Sequence, residues 1–85
     1  MRQMSKFKKV LASLEKKPKD FTWQELRMIM MHYGYQEHRG GGSARRFFHS
    51  GTKASVHLHE PHPDPTMKRY ALEIIIDHLK EEKLL

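Results

Sequence analysis

Apolar residues near the start of the chain recur with the spacing of an amphipathic helix. In SKFKKVLASLEKK, residues 5–17, they occupy one face of such a helix and comprise Phe7, Val10, Leu11 and Leu14. This face is predicted to pack against other parts of the chain. Pro18 follows directly and ends the helix, because proline lacks the backbone N–H that a further turn would need.

A second helix is predicted over TWQELRMIMMHYG. Thr22 and Glu25 have the T-x-x-E spacing of a capping box, in which each side chain accepts a hydrogen bond from the other residue's backbone N–H. The apolar stripe that follows comprises Leu26, Ile29, Met30 and Tyr33. Gly34 is a natural stop, because glycine readily adopts the left-handed conformation in which many helices end.

Beyond Gly34 the apolar period shortens to about two residues, which is typical of strands. Three segments are predicted to be extended, YQEHR (35–39), SARRFFHS (43–50) and ASVHLHE (54–60), with GGG and SGTK as hairpin connections. In the third segment, apolar Val56 and Leu58 alternate with Ser55, His57 and His59. One face of the sheet is therefore expected to be covered and the other to be open.

The last part of the chain changes character twice. EPHPDPT, residues 60–66, holds three prolines and is expected to cross the fold as a rigid extended segment. Thr66 or Asp64 is then predicted to cap a final helix, MKRYALEIIIDHLKEEKLL, with Leu72, Ile75, Ile76 and Leu79 on its inner side. The order α-α-β-β-β-α predicts an α+β fold, a two-layer sandwich of a three-stranded antiparallel sheet with helices on one face.

Length and charge narrow the class of protein. With 85 residues the chain is expected to form one small domain, and its net charge is +6. Residues 1–19, which include Arg2, carry seven basic residues against Glu15, and residues 38–59 carry four basic residues and no acid. Unopposed positive charge favours phosphates or an acidic protein as partner.

The sequence lacks the features of disulfide-bonded, membrane and secreted proteins. The sequence has no cysteine, which excludes disulfides and cysteine-based zinc sites and fits a cytoplasmic protein. No apolar run approaches the roughly 20 residues of a membrane span, so no membrane association is expected. The basic start has no continuous apolar stretch, so no signal peptide is expected.

The stretch GGGSARRFFH, residues 40–49, carries the strongest chemical signal. Glycines such as Gly42 let the backbone approach a ligand closely, and Ser43 has a hydroxyl that can donate to a phosphate oxygen or simply cap the turn. Arg45 and Arg46 are both candidate RNA-binding residues, although they point to opposite faces of a regular strand. Arg46 shares its face with Ala44 and is the preferred phosphate ligand, because guanidinium groups match phosphate oxygens.

Aromatic and basic neighbours extend this candidate interface. Phe47 and Phe48 also face opposite sides, so one belongs to the core and the other is free to stack on a base or to meet a partner protein. Lys53, in the following turn, adds a further positive charge. His49 is equally suited to contact RNA and to hydrogen-bond the SGTK turn.

Histidines supply the candidate acid and base. Histidine can take up or donate a proton near neutral pH, so it suits both the acid and the base of a cleavage reaction. His57 and His59 lie on the polar face of the third strand, with His62 beyond them. A metal site built from H-x-H-x-x-H is the less favoured reading, so no metal and no cofactor are expected.

These features together resemble the HicA toxins of type II toxin–antitoxin systems. The resemblance rests on GYQEHR after a helix, the turn with Gly42 and Ser43, Phe47 in the second strand, the HLHEPHP element and the C-terminal helix ending in EEKLL. It covers about residues 22–85. It implies a domain over residues 20–85 with a double-stranded-RNA-binding-like fold, preceded by an N-terminal helical extension over residues 1–19. It also implies that Phe47 lies in the core, which leaves Phe48 on the outer face as a candidate RNA-binding residue.

The resemblance also implies a function, and this sequence departs from the family pattern at one catalytic position. HicA toxins cleave mRNA, act as metal-independent interferases and are neutralised by HicB-type antitoxins. Their catalytic histidine follows the glycine-serine turn, where this chain has Ala44. The expectation is therefore an RNA-cleaving toxin that is inactive as written, whether Ala44 is engineered or natural. The alternative is a non-catalytic RNA-binding or protein-interaction module on the same fold, and the oligomeric state is left open.

Overall fold

Three helices and three strands follow one another in the predicted order. The computed structural model describes residues 5–85, so the first part of the predicted extension, including Arg2, lies outside the described residues. The helices are α1 (Lys6–Glu15), α2 (Trp23–His32) and α3 (Arg69–Glu81), and the strands are β1 (Gln36–Arg39), β2 (Ala44–Phe48) and β3 (Ser55–His59). The predicted α-α-β-β-β-α order is confirmed.

The first two helices begin at side-chain caps. Ser5 Oγ accepts a hydrogen bond from the Lys8 backbone N–H at the start of α1. At the start of α2 the predicted capping box is present, with the Thr22 N–H donating to Glu25 Oε1 at 2.9 Å and the Glu25 N–H donating to Thr22 Oγ1 at 3.3 Å. Gly34, with φ of +92°, turns the chain out of α2 as predicted.

The predicted cap of the last helix is wrong. The N-cap of α3 is Lys68, which makes no side-chain capping bond. Thr66 instead donates to Asp64 through both its backbone N–H and its hydroxyl, at 2.9 and 2.8 Å. Residues 66 and 67 instead pair with the segment before α2. The Met67 N–H donates to the Phe21 carbonyl at 2.7 Å, and Thr66 forms a β-bridge with Thr22.

The three strands form one antiparallel sheet in the order β1-β2-β3. The register pairs Arg46 with His38 on one side and with His57 on the other. Ala44 pairs with His59. His38, Ala44, Arg46, His57 and His59 therefore share one face of the sheet, in keeping with the alternation of the strands.

All three helices contribute to a single core on the other face of the sheet. The residues that are fully or almost fully buried are Val10, Leu14, Phe21, Trp23, Leu26, Ile29, Met30, Tyr35, Phe47, Val56, Leu58, Met67, Ala71, Leu72, Ile75, Ile76 and Leu79. Phe47 is completely buried, as the resemblance implied. Two residues of α1, Val10 and Leu14, belong to the same cluster, so the first helix packs into the core rather than beside it.

Candidate active site and nucleic-acid interface

The open face of the sheet carries five of the residues that the sequence singled out for RNA binding and cleavage, Ala44, Arg46, Phe48, His57 and His59. Strand alternation directs Phe47, Val56 and Leu58 into the core and turns their neighbours outward. The outward set comprises Gln36, His38, Ala44, Arg46, Phe48, Ser55, His57 and His59. These side chains are exposed or half-buried, and no helix of the described chain covers them.

Arg46 lies at the centre of this face. Its register places it between His38 and His57, and its guanidinium carbon lies 5.0 Å from the centroid of the Phe48 ring. His38 meets the same ring edge-on, with the two ring centroids 6.3 Å apart. A cation beside an outward-facing aromatic ring can hold a phosphate and stack a base at adjacent points.

A serine–histidine contact lies at the end of the sheet, next to Ala44. Ser43 Oγ and His59 Nδ1 are 3.1 Å apart, and the backbone holds them together because Glu60 N–H donates to the Ser43 carbonyl at 2.9 Å. The contact occupies one ring nitrogen of His59 and orients the imidazole. Ala44 is the cross-strand partner of His59, so the methyl group stands directly opposite that ring.

Glycine at position 40 leaves space beside Ala44. The Gly40 N–H donates to the Ala44 carbonyl at 2.9 Å, which closes the turn between β1 and β2. A Cβ atom at position 40 would lie 3.2 Å from the Ala44 Cβ. With glycine there, no side chain at position 40 crowds the Ala44 methyl group.

Arg45 lies on the opposite face from Arg46 and is held in ion pairs. Its Nε lies 2.9 Å from Glu60 Oε1 and 3.9 Å from Glu37 Oε2, and only 10% of its side chain is exposed. It also donates to the carbonyls of Gly42 and Ala44 at 2.8 Å each. Arg45 therefore ties the glycine-rich turn to the sheet, and its guanidinium is not directed toward the open face.

Glu37, which is half-buried, is the centre of this ionic cluster. It accepts hydrogen bonds from Arg27 Nε at 2.7 Å and from Trp23 Nε1 at 3.2 Å. Burial alone would raise the pKa of Glu37, but these hydrogen bonds and the charges of Arg27 and Arg39 outweigh it and lower the pKa. The same hydrogen bond from Arg27 to Glu37 raises the pKa of Arg27.

The remaining predicted site residues are spread along the sheet. Gly42 adopts a φ of +59° at the tip of the β1–β2 turn, beside Ser43. Lys53 lies in the β2–β3 turn, at the other end of β2 from Ala44. His49 accepts hydrogen bonds from the backbone N–H groups of Gly51 and Thr52, so it serves that turn.

The histidines of the third strand are not arranged as a metal site. Within residues 5–85, no group of three histidine, cysteine, aspartate or glutamate side chains is close enough to hold a metal ion. His57 and His59 are both exposed on the open face, two residues apart along β3.

Among the helices of the same described range, none is long and apolar enough to cross a lipid bilayer.

The structure also forms a groove that the sequence pattern did not reveal. It has a volume of about 650 Å³ and runs from His59 along the proline-rich segment to the start of α3. Its cationic lining comes from two distant parts of the chain, Lys17 and Lys19 on one side and Lys68 and Arg69 on the other. Only tertiary packing brings these residues together, so no local spacing signals the groove.

Fold and site together define a class of protein: a small α+β domain with an uncovered sheet face of histidines, arginine and phenylalanine. Residues 23–81 match the family described as the HicA toxin of bacterial toxin-antitoxin. The chain belongs to this family of toxins, as the sequence resemblance indicated. The matched region begins after α1, so the first helix lies outside it. Neither a search of curated proteins nor a search of solved structures finds a match.

Proposed function

We propose that this protein is a toxin of the mRNA interferase type, a metal-independent endoribonuclease neutralised by a HicB-type antitoxin, and that it is inactive as long as residue 44 is alanine. The observation that carries the proposal is the contact between Ser43 and His59, 3.1 Å long, on an uncovered sheet face that also presents Arg46. An oriented imidazole and a guanidinium on one surface are two of the parts that RNA cleavage requires.

The reaction needs an acid and a base on either side of one phosphate. The base takes the proton of the 2′-hydroxyl, and the freed oxygen attacks the adjacent phosphorus. The bond from phosphorus to the 5′-oxygen breaks, and the acid donates a proton to that oxygen. The products are a 2′,3′-cyclic phosphate and a free 5′-hydroxyl, so no oxidant or other reactant is consumed.

His59 supplies one of these two groups in our proposal. Its ring is oriented by Ser43, and its cross-strand partner is Ala44, the position at which HicA toxins carry histidine. Side chains directly opposite each other in an antiparallel pair have Cβ atoms roughly 4.5–5.5 Å apart. Histidines at positions 44 and 59 would therefore face each other across one phosphate, whereas the present chain has only one of the pair and is expected to be inactive.

The proposed antitoxin contact follows from the charge of the same surface. From residue 38 to residue 59 the chain has four basic residues and no acid. Of these, Arg46 is on the open face beside His38 and His57. An acidic segment of the antitoxin laid over this face would pair with Arg46 and exclude RNA at the same time.

A non-catalytic RNA-binding module is the second candidate. Ala44 is the observation that favours it, because a methyl group cannot transfer a proton. Such a module would keep Arg46 and Phe48 for phosphate and base contacts and would have no need of a second histidine.

The deciding experiment compares four proteins on a long single-stranded RNA in the presence of a chelator. The parent chain is expected not to cleave, and Ala44→His is expected to cleave at least about 100-fold faster, since one acid or base contributes roughly 10²–10⁴-fold. Adding His59→Ala to Ala44→His should abolish cleavage, while adding His57→Ala, on the same strand, should leave most of it. An Ala44→His protein that binds RNA without cleaving it would identify a binding module instead.

A further inference from the structure

The groove beside the open face has the charge expected of an anion-binding surface. Four cationic side chains line it, Lys17, Lys19, Lys68 and Arg69, together with His59 and His62. Lys19, Lys68 and Arg69 are exposed, and Lys17 is half-buried. Among the described residues, Lys19 and Lys68 have no carboxylate within ion-pair distance.

The carboxylates near the groove already have partners. Glu60 pairs with Arg45 at 2.9 Å. Asp64 accepts two hydrogen bonds from Thr66, which lower the pKa of Asp64. Their negative charge is therefore partly satisfied within the protein, and the cationic side chains dominate the lining.

Glu73 connects the two walls of the groove. It lies 3.4 Å from Lys17 Nζ, on the segment after α1, and 3.4 Å from Arg69 Nε, on α3. This shared carboxylate holds a lysine from the N-terminal segment close to the start of the last helix. The groove therefore depends on how α1 and the segment after it pack onto the rest of the domain. Lys17 and Lys19, which line it, lie before residue 23, where the family match begins.

His59 joins the groove to the open face. It lines one end of the groove and is also the histidine that contacts Ser43 next to Ala44. Tyr70, which is 59% exposed, adds an aromatic ring to the lining. Because His59 belongs to both surfaces, a chain that crossed the open face at His59 would lie next to the groove, where lysines can meet its charges and a ring can stack on a base.

We propose that this groove binds the sugar–phosphate backbone of single-stranded RNA on one side of the bond that is cleaved, and that Lys17 and Lys19 of the N-terminal segment are its phosphate ligands. The inference rests on the proposed function, because it takes RNA as the molecule on the open face. It gives the helix before the family core a role, which is to extend the RNA-binding surface beyond the sheet.

The test measures RNA binding by fluorescence anisotropy with the parent chain, which is expected to leave RNA intact. The test variant is Lys17→Gln with Lys19→Gln, and the matched control is Lys6→Gln with Lys9→Gln, which removes the same charge from exposed positions of α1 outside the groove. The probes are a labelled 12-nucleotide single-stranded RNA and a labelled trinucleotide. Lys68→Gln, on the opposite wall, provides an independent check, and thermal melting shows whether each variant is folded.

The expected result is specific to the groove and to the longer RNA. The test variant should bind the 12-mer about tenfold more weakly, and the slope of log affinity against log salt should fall by about 1.4, which is roughly 0.7 for each of two phosphates. Binding of the trinucleotide should be unchanged, and the control should differ from the parent by less than about twofold.

Several outcomes would overturn the inference, and they differ from failure of the proposed function. An equal loss of RNA affinity in the test and control variants would show a general effect of charge. Unchanged binding of the 12-mer by the test variant would show that RNA does not bind in the groove. If the test variant lost affinity for a 12-residue glutamate peptide but not for RNA, the groove would belong to an acidic protein. A parent chain that binds neither RNA would instead remove the proposed function itself.

Discussion

Replacing each of two adjacent arginines by methionine tests stability and the proposed RNA binding separately. Arg45 and Arg46 are consecutive residues of β2, yet Arg45 pairs with Glu60 and Glu37 beneath the sheet while Arg46 lies over the Phe48 ring on the open face. Methionine keeps much of the length and apolar character of the arginine side chain. We expect Arg45→Met to destabilise the protein and Arg46→Met to weaken RNA binding.

The size of the first effect follows from what Arg45 leaves behind. Removing one member of a buried ion pair costs about 3–5 kcal/mol, because the other charge is left without a partner. Glu60 is 28% exposed and is partly hydrated, and Glu37 retains Arg27, so about 2–3 kcal/mol is expected here. For a domain of this size that corresponds to a fall in melting temperature of roughly 10–20 °C.

The second effect is small for stability and large for binding. Arg46 contributes a cation–π contact at 5.0 Å, worth about 0.5–1 kcal/mol. The melting temperature of the Arg46→Met protein should therefore fall by less than about 8 °C. Loss of one charged hydrogen bond to a phosphate should weaken RNA binding about tenfold. Thermal melting by circular dichroism and anisotropy with the same single-stranded RNA measure the two effects. Equal melting temperatures for the two variants would refute the assignment of Arg45 to the fold.

Two further changes test the internal supports of the fold. Glu37→Gln should lower the free energy of unfolding by about 1–3 kcal/mol at neutral pH, because it weakens charged hydrogen bonds from Arg27 and Trp23. Since the pKa of Glu37 is lowered in the folded protein, its contribution is present above the ordinary value of 4.5 and is lost as the pH falls through the folded value. The stability difference measured by urea unfolding should therefore shrink in acid, and a constant difference would contradict this account. Thr22→Ala removes the side chain that accepts from the Glu25 N–H and should cost about 0.5–2 kcal/mol, whereas Ser5→Ala at the exposed end of α1 should cost less.

The sequence predicts the elements of this fold well because their signals are local. The apolar spacing that identifies α1 and α2, the capping box at Thr22 and the stop at Gly34 all depend on residues within one or two helical turns. The alternation of Val56 and Leu58 with histidines likewise fixes which face of β3 is open. Placing Arg46 and Ala44 on the same face needed only the period of a strand.

The features that sequence reasoning missed depend on contacts between distant parts of the chain. Thr66 does not cap α3, because it pairs with Thr22 and its side chain bonds Asp64. The alternation of the strand placed Arg45 away from the open face. It did not reveal the two glutamates that pair with Arg45, which are Glu37 on β1 and Glu60 just after β3. The groove is missed for the same reason, because Lys17 and Arg69 are neighbours only after α1 and α3 have packed together.

The side chain of residue 44 can change without altering the turn that carries it. The hydrogen bonds at this residue are made by its backbone: its N–H donates to the Gly41 carbonyl at 3.1 Å, and its carbonyl accepts from Gly40 and from Arg45. Its methyl group contributes to none of them, and Gly40 leaves space beside it. A histidine introduced there would therefore lie opposite His59 and on the same face as Arg46, the proposed phosphate ligand. If such a protein cleaved RNA, the scaffold would be shown to hold every other part of the chemistry, and one side chain would decide between a binding protein and a nuclease.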